Sequence, residues 1–266
     1  MGKKQKSPSP TILFRLQTSC RYCLATLASQ KRYPMFLTNQ LTGAAMPPKT
    51  LCLTFDDGPW QIAGDGPGPK TLRLAEYLNQ ENIRATFFVL GRHAKMHPTM
   101  MGELVRLGHI VGNHTVNHPD FCGLPSFNEA VIELEEAHKE IVQYNQHSTL
   151  YFRAPYGGWP TGFADDINRH WPAAKNYVGP IAWDVNENDW DFWGKLSTAE
   201  ACADAYLKAI TQQGKGIVVM HDCTAEQDTM GLLRRDNNRT FETIQILVPE
   251  LKRMGYTFVG LDEMVF

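Results

Sequence analysis

The sequence lacks an excess of charge of one sign and lacks a long uninterrupted apolar segment. Its 26 Lys and Arg residues nearly balance 28 Asp and Glu residues, so the net charge is −2. This balance argues against electrostatic binding of a nucleic acid. The most apolar N-terminal stretch, residues 11–28, is interrupted by Arg15 and Arg21. We therefore expect no transmembrane segment, and the stretch is also a poor secretory signal, so the compartment stays open.

Cysteine is scarce and scattered. The six cysteines include one CxxC pair, Cys20 and Cys23, and no second pair accompanies it. A chain of this length does not need disulfides for stability, and a lone CxxC is a weak metal or redox signal. We interpret these residues as ordinary thiols.

Residues 1–45 are interpreted as an N-terminal extension, followed by one domain over residues 46–266. Apolar residues recur in the extension at spacings of three and four, which predicts an amphipathic helix (Leu13, Leu16, Cys20, Leu24, Leu27). Such a helix could make peripheral contact with a membrane surface. The interpretation we favour is a helix docked on the domain or a poorly ordered tail.

Short apolar runs alternate with amphipathic stretches from residue 50 onward. The runs predict about seven buried strands: Thr50–Phe55, Ile83–Leu90, His109–Val111, Tyr151–Arg153, Tyr177–Val185, Gly216–Met220 and Tyr256–Leu261. The stretches predict helices over Pro69–Gln80, Phe127–Gln146, Ala201–Gln213 and Phe241–Met254. This alternation is typical of an α/β fold with parallel strands. Periodicity alone leaves a closed barrel and an open sheet as alternatives.

Ionisable residues follow five of the predicted strands. They are Asp56-Asp57, the pair His114 and His118, Arg153, Asp189 and His221-Asp222. In parallel α/β folds the carboxyl ends of the strands form the functional face. Each group alone has an ordinary structural explanation, but together they predict one site at that face.

The residue types and spacing of these groups indicate a metal site. His114 and His118 are four residues apart, so one helical turn would place both imidazoles on the same side. Two imidazoles and the Asp57 carboxylate suit Zn²⁺ and leave a position for water. A divalent cation lowers the pKa of bound water towards ~7, and Asp56 is the candidate base that takes the proton.

Five motifs in order resemble those of the NodB-homology polysaccharide deacetylases, carbohydrate esterase family four. The first is Leu53-Thr54-Phe55-Asp56-Asp57-Gly58-Pro59 and the second is His114-Thr115-Val116-Asn117-His118-Pro119. The others are Arg153-Ala154-Pro155-Tyr156, Asp189-Trp190 and Val219-Met220-His221-Asp222. The resemblance covers residues 50 to about 262 and implies a deformed (β/α) barrel of about seven parallel strands.

The resemblance also implies a role for each residue. Asp57, His114 and His118 would hold a divalent metal, with Zn²⁺ expected and Co²⁺ or Ni²⁺ as alternatives. Asp56 would be the general base, positioned by Arg153. His221 would be the general acid, oriented by Asp189. The backbone N–H of Tyr156 would stabilise the oxyanion, and Trp190 and Val219 would line a pocket for the acetyl methyl group.

The implied activity is hydrolysis of N-acetyl groups on glycans that contain N-acetylglucosamine, such as chitin-like chains or peptidoglycan. An O-acetyl esterase acting on xylan and an inactive carbohydrate-binding relative are the alternatives. Two positions depart from the family pattern: Asn186 replaces a carboxylate that often precedes Asp189, and Val219 replaces a leucine. We expect an acetylated glycan as the partner, no nucleic acid, and a monomer.

Overall fold

The computed structural model describes residue 2, residues 35–145 and 149–264, and residue 266. The predicted N-terminal helix and the Cys20–Cys23 pair lie outside these residues. The described strands are β1 Phe36–Leu41, β2 Thr50–Asp56, β3 Thr86–Val89, β4 Ile110–Asn113, β5 Leu150–Tyr151, β6 Tyr177–Ile181, β7 Gly216–His221 and β8 Thr257–Phe258. The described helices are α1 Thr71–Gln80, α2 Gly91–Met96, α3 Pro98–Arg106, α4 Phe127–Ile141, α5 Phe163–His170, α6 Asp189–Gly194, α7 Ala199–Gln213, α8 Thr229–Asp236 and α9 Thr240–Arg253.

Every strand pairing among the described residues is parallel. One sheet has the order β4-β3-β2-β7, with β8 pairing with the start of β2, and the other has the order β1-β6-β5. Single bridges, Asn113 to Phe152 and Val185 to Val218, join the two sheets into a ring. The prediction of an α/β fold built as a deformed parallel barrel is therefore confirmed.

An inner strand of the larger sheet is β2, whose seven residues are all buried. A strand covered on both faces needs a nearly continuous apolar run, as Leu51-Cys52-Leu53-Thr54-Phe55 provides. Helices cover the outside: α7 and α9 pack together, and α7 buries residues spaced three and four apart, such as Ala203, Tyr206 and Ile210. No helix among the described residues is long and apolar enough to cross a membrane.

Strand β1 was not expected from the sequence. It pairs with β6, and the buried Phe36 donates its backbone N–H to Asn168 Oδ1 at 2.9 Å. Polar residues in the middle of the strand, Thr38-Asn39-Gln40, hide the apolar pattern that marks a buried strand. The sheet thus begins at Phe36, inside the range 1–45 that was interpreted as an extension.

Candidate functional site

The two adjacent carboxylates of Asp56 and Asp57 reach the same edge of the barrel. Asp56 ends β2 in register with His221 at the end of β7. Successive strand residues face opposite ways, but Asp57 leaves the strand with a left-handed backbone, φ 76°. As a result Asp56 Oδ2 lies 3.8 Å and Asp57 Oδ1 3.6 Å from His114 Nε2.

A loop, not a helical turn, brings His114 and His118 together. Positive φ values at Thr115 (69°) and His118 (67°) fold the chain back after β4. Thr115 Oγ1 accepts the backbone N–H of His118 at 2.9 Å and holds the turn. The expectation of a helical i, i+4 pair was wrong, although the two ring centroids do lie 4.9 Å apart.

Asp57, His114 and His118 form a candidate divalent metal site. Asp57 Oδ1 is 3.6 Å from His114 Nε2 and 3.4 Å from His118 Nε2, and the three ligand atoms lie within 4.8 Å of one another. Asp57 Oδ1 is buried without a hydrogen-bond partner among the described residues. An unpartnered carboxylate oxygen facing two imidazole nitrogens is what a small divalent cation requires.

The electrostatics of these three residues also fit a cation. Burial lowers the pKa of His114 well below its ordinary value and that of His118 to about 4, so both rings are neutral and can act as ligands. Burial raises the pKa of Asp57 to about 7, because the charged carboxylate loses its hydration. A bound cation would offset that loss. His114 Nδ1 donates to the Arg153 carbonyl at 2.9 Å, which leaves Nε2 facing Asp57.

Arg153 lies behind Asp56 and is completely buried. Its Nη1 donates to Asp56 Oδ1 at 2.8 Å and to Thr54 Oγ1 at 2.7 Å. Nε and Nη2 donate to the carbonyls of Ile181 and Ala182, both at 3.1 Å. A guanidinium with all three nitrogens bonded cannot turn away, so Arg153 fixes the Asp56 carboxylate and supplies the opposite charge.

His221 and Asp189 form a second charged pair at the same edge. His221 Nδ1 lies 2.7 Å from Asp189 Oδ1, and the His221 backbone N–H donates to Asp189 Oδ2 at 2.7 Å. Burial alone would lower the pKa of His221, but the charge and hydrogen bond of Asp189 outweigh it and raise the pKa to about 10. The ring therefore carries a proton at neutral pH.

A cavity of about 320 Å³ connects these groups. Eight of the residues singled out from the sequence line it: Asp56, Asp57, His114, His118, Tyr156, Trp190, Val219 and His221. Arg153 and Asp189 are buried behind Asp56 and His221. Tyr156 has a left-handed backbone, φ 55°, which is uncommon for a residue with a side chain and occurs often at functional sites.

Comparison with known proteins agrees with this geometry. Residues 43–170 match the family model described as polysaccharide deacetylase. The chain is 29% identical over 217 residues to a chitooligosaccharide deacetylase of Rhizobium leguminosarum bv. trifolii, which covers 81% of this chain and 91% of that protein. The chain is thus similar to the polysaccharide deacetylase family.

Other members of the polysaccharide deacetylase family extend the likeness. A peptidoglycan-N-acetylmuramic acid deacetylase of Bacillus subtilis is 27% identical over 219 residues, covering 82% of this chain and 72% of that protein. The solved structure of a family 4 carbohydrate esterase from Bacillus subtilis superposes with a TM-score of 0.62 at 24% identity, over 81% of this chain and 80% of that one. This likeness supports the barrel fold.

The cavity residues that were not predicted include Trp183, Glu226 and Arg234. Glu226 accepts the hydroxyls of Thr224 at 2.7 Å and Tyr156 at 3.1 Å. Glu226 and Arg234 follow the fifth motif by several residues and lie outside every motif. Their only sequence signal is that they come after a functional strand end, where loops shape binding sites.

Proposed function

We propose that this chain is a divalent-metal-dependent N-deacetylase that releases acetate from glycans containing N-acetylglucosamine. One observation carries the proposal: the Asp57–His114–His118 group, the Arg153-bound Asp56 carboxylate and the Asp189-bound His221 ring face one cavity. Hydrolysis of an amide needs a charge-stabilising centre, a base and an acid placed separately around one carbonyl.

Asp57, His114 and His118 would hold the metal. Zn²⁺ is the ion that we propose, because two imidazoles and one carboxylate are a common zinc ligand set. When bound, the ion supplies Lewis acidity to the scissile carbonyl and to water. Asp56 stands beside this group and is held by Arg153, so its free oxygen takes the proton of the attacking water.

His221 supplies the proton that the departing amine requires. An amine leaves poorly unless it is protonated, and His221 is the protonated group in the cavity. Because Nδ1 is engaged by Asp189, the proton is delivered from Nε2. The backbone N–H of Tyr156 stabilises the oxyanion, and Trp190 and Val219 contact the acetyl methyl group. The monomeric state and any membrane contact of the N-terminal residues stay predictions.

Acetate release is the direct test of this proposal. We expect the metal-loaded protein to release acetate from N-acetylchitooligosaccharides, to lose more than about 99% of that activity after chelation, and to recover it when Zn²⁺ or Co²⁺ is added back. The screen should include peptidoglycan fragments and acetylxylan, assayed for acetate under the same conditions.

The outcomes separate the alternatives. Turnover of acetylxylan alone would replace the proposal with an O-acetyl esterase. Sugar binding by calorimetry without turnover of any substrate, with each metal present, would assign an inactive binding relative. Activity that persists unchanged after chelation would refute the metal site.

His93 is expected to control metal affinity without contacting the metal. Its ring is buried, and burial lowers its pKa to about 4, so the ring is neutral. Its Nδ1 lies 2.7 Å from the Asp57 carbonyl, which can only accept, so Nδ1–H donates to it. This bond fixes the left-handed backbone that aims Asp57. We predict that His93→Phe weakens Zn²⁺ binding by about tenfold or more.

The measurement is competition for Zn²⁺ with a chromophoric chelator, and His109→Phe is the matched control. His109 is equally buried and bonds two backbone groups, Ala85 N–H and the Ala75 carbonyl, far from the metal ligands. Both variants lose backbone hydrogen bonds, and the melting temperature of each metal-free protein reports that loss. Equal Zn²⁺ affinities in the two variants would show that His93 has no special role.

A further inference from the structure

Arg234 is a cationic cavity residue that the deacetylation chemistry does not use. Its guanidinium carbon lies 4.6 Å from the centroid of the Trp190 ring, and its Nε atom is buried without a hydrogen-bond partner among the described residues. A guanidinium stacked on an aromatic ring is fixed in place and keeps its hydrogen-bonding edge free.

Three of the other charged groups that line the cavity already have partners, and Asp57 faces the two imidazoles of the proposed metal site. Asp56 is bonded by Arg153, His221 by Asp189, and Glu226 by the hydroxyls of Thr224 and Tyr156. Among the described residues, no carboxylate lies within ion-pair distance of Arg234, whereas its neighbour Arg235 pairs with Asp236 at 2.9 Å. An unpaired, fixed guanidinium in a binding cavity is complementary to a planar anion such as a carboxylate.

We infer that Arg234, held on Trp190, binds a carboxylate substituent of the glycan and makes this chain selective for acidic sugars next to the reacting N-acetyl group. The inference rests on the proposed function and adds a substrate class to it. Trp190 contacts the acetyl methyl group in that proposal, so a carboxylate reaching Arg234 belongs to the reacting sugar or to its immediate neighbour. Glu226 is bonded to Tyr156 and Thr224, so it does not occupy the part of the cavity beside Trp190 where we place the anion.

The test compares two disaccharides that differ only in charge. One contains N-acetylmuramic acid with its free lactyl carboxylate, and the other has the same group as an uncharged carboxamide. We expect the wild type to show a kcat/KM about tenfold higher for the carboxylate, and Arg234→Gln to reduce this ratio to about one. Arg234→Lys should keep part of the preference, because the charge remains.

Arg235→Gln is the matched control, because Arg235 does not line the cavity and its side chain pairs with Asp236. It should retain the tenfold ratio. A hyaluronan tetrasaccharide, in which the carboxylate belongs to the neighbouring uronate, distinguishes the two positions of the anion. A wild-type ratio near one on the muramoyl pair, with no preference for hyaluronan over chitotetraose, would overturn the inference whatever the variants do.

Equilibrium binding keeps this inference separate from the proposed function. If the wild type releases no acetate from any probe, the deacetylase proposal fails, and calorimetry with the same two disaccharides then decides the anion site. Tighter binding of the carboxylate by about tenfold, lost in Arg234→Gln, would still support it. Equal binding of both disaccharides would refute it.

Discussion

Replacing Asp56 with asparagine is expected to lower kcat for N-acetylchitooligosaccharides by about 10³-fold, the range in which removal of a general base falls. Asparagine keeps the size of the side chain and an oxygen for Arg153, but it cannot take a proton from water. Asp56 is not one of the three proposed ligands, so Zn²⁺ affinity should change by less than about tenfold. Acetate release and chelator competition on the same preparation measure both quantities.

Thr54→Val is the control for this prediction. Thr54 Oγ1 is the other side-chain acceptor of Arg153 Nη1, at 2.7 Å. Its removal disturbs the guanidinium but leaves the base in place, so we expect kcat to fall by less than about tenfold. If Thr54→Val lost as much activity as Asp56→Asn, the role of Asp56 would be to hold Arg153 and not to accept a proton.

Stability must be measured alongside activity, because Asp56→Asn leaves Arg153 without its counter-charge. Removing one partner of a buried ion pair typically costs about 3–5 kcal/mol of unfolding free energy. Arg153 keeps three uncharged acceptors, Thr54 and the carbonyls of Ile181 and Ala182, so the loss should lie at the lower end. Urea titration of the metal-free variant checks this, and the kinetic assay belongs at a temperature where the variant stays folded.

The strand ends of the site were predictable because parallel strands carry a simple geometric rule. A run such as Leu53-Thr54-Phe55 is recognisable as buried, and whatever follows it must emerge at the carboxyl edge of the sheet. Asp56 and His221 follow two such runs and do lie in register. Arg153 follows the very short β5 and is bonded to Asp56.

Other features depend on backbone conformations that residue types do not reveal. His114 and His118 meet through left-handed residues at Thr115 and His118, and neither of these two positions carries a glycine or an asparagine. The spacing of four was informative, but the helical explanation for it was not correct. Strand β1 was not predicted because the polar residues in its middle interrupt the apolar pattern that begins with the buried Phe36.

Arg234 and Glu226 illustrate the limit of motif-based prediction. Both are charged residues in a polar stretch, where a solvated surface is the ordinary expectation. Only the packing of α8 against α6 places Arg234 on Trp190, and only the loop after β7 brings Glu226 to Tyr156. Such contacts arise from the tertiary fold, so neither residue could be identified from the motifs.

Replacing His221 with alanine should reduce amide hydrolysis far more than ester hydrolysis. Loss of a general acid costs about 10²–10⁴-fold when the leaving group needs a proton. An alkoxide leaves more readily than an amine, so the same variant should lose at least about tenfold less on an acetyl ester than on an N-acetyl group. Parallel assays on N-acetylchitooligosaccharide and an O-acetylated sugar give the two ratios, and near-equal losses would contradict the assignment of His221 as the acid.

The pH profile gives an independent readout of the same proton. His221 must be charged to act as an acid, so amide hydrolysis should fall as the pH rises through its pKa. That pKa is raised to about 10, chiefly by Asp189 against the opposing effect of burial, and with smaller contributions from Asp57 and Asp56. A cation bound at Asp57 cancels part of this attraction, so the alkaline limb of the wild type should lie between the ordinary value of 6.5 and 10. Asp189→Asn removes the main favourable charge and should move the limb to lower pH, whereas an unmoved limb would assign the ionisation to another group.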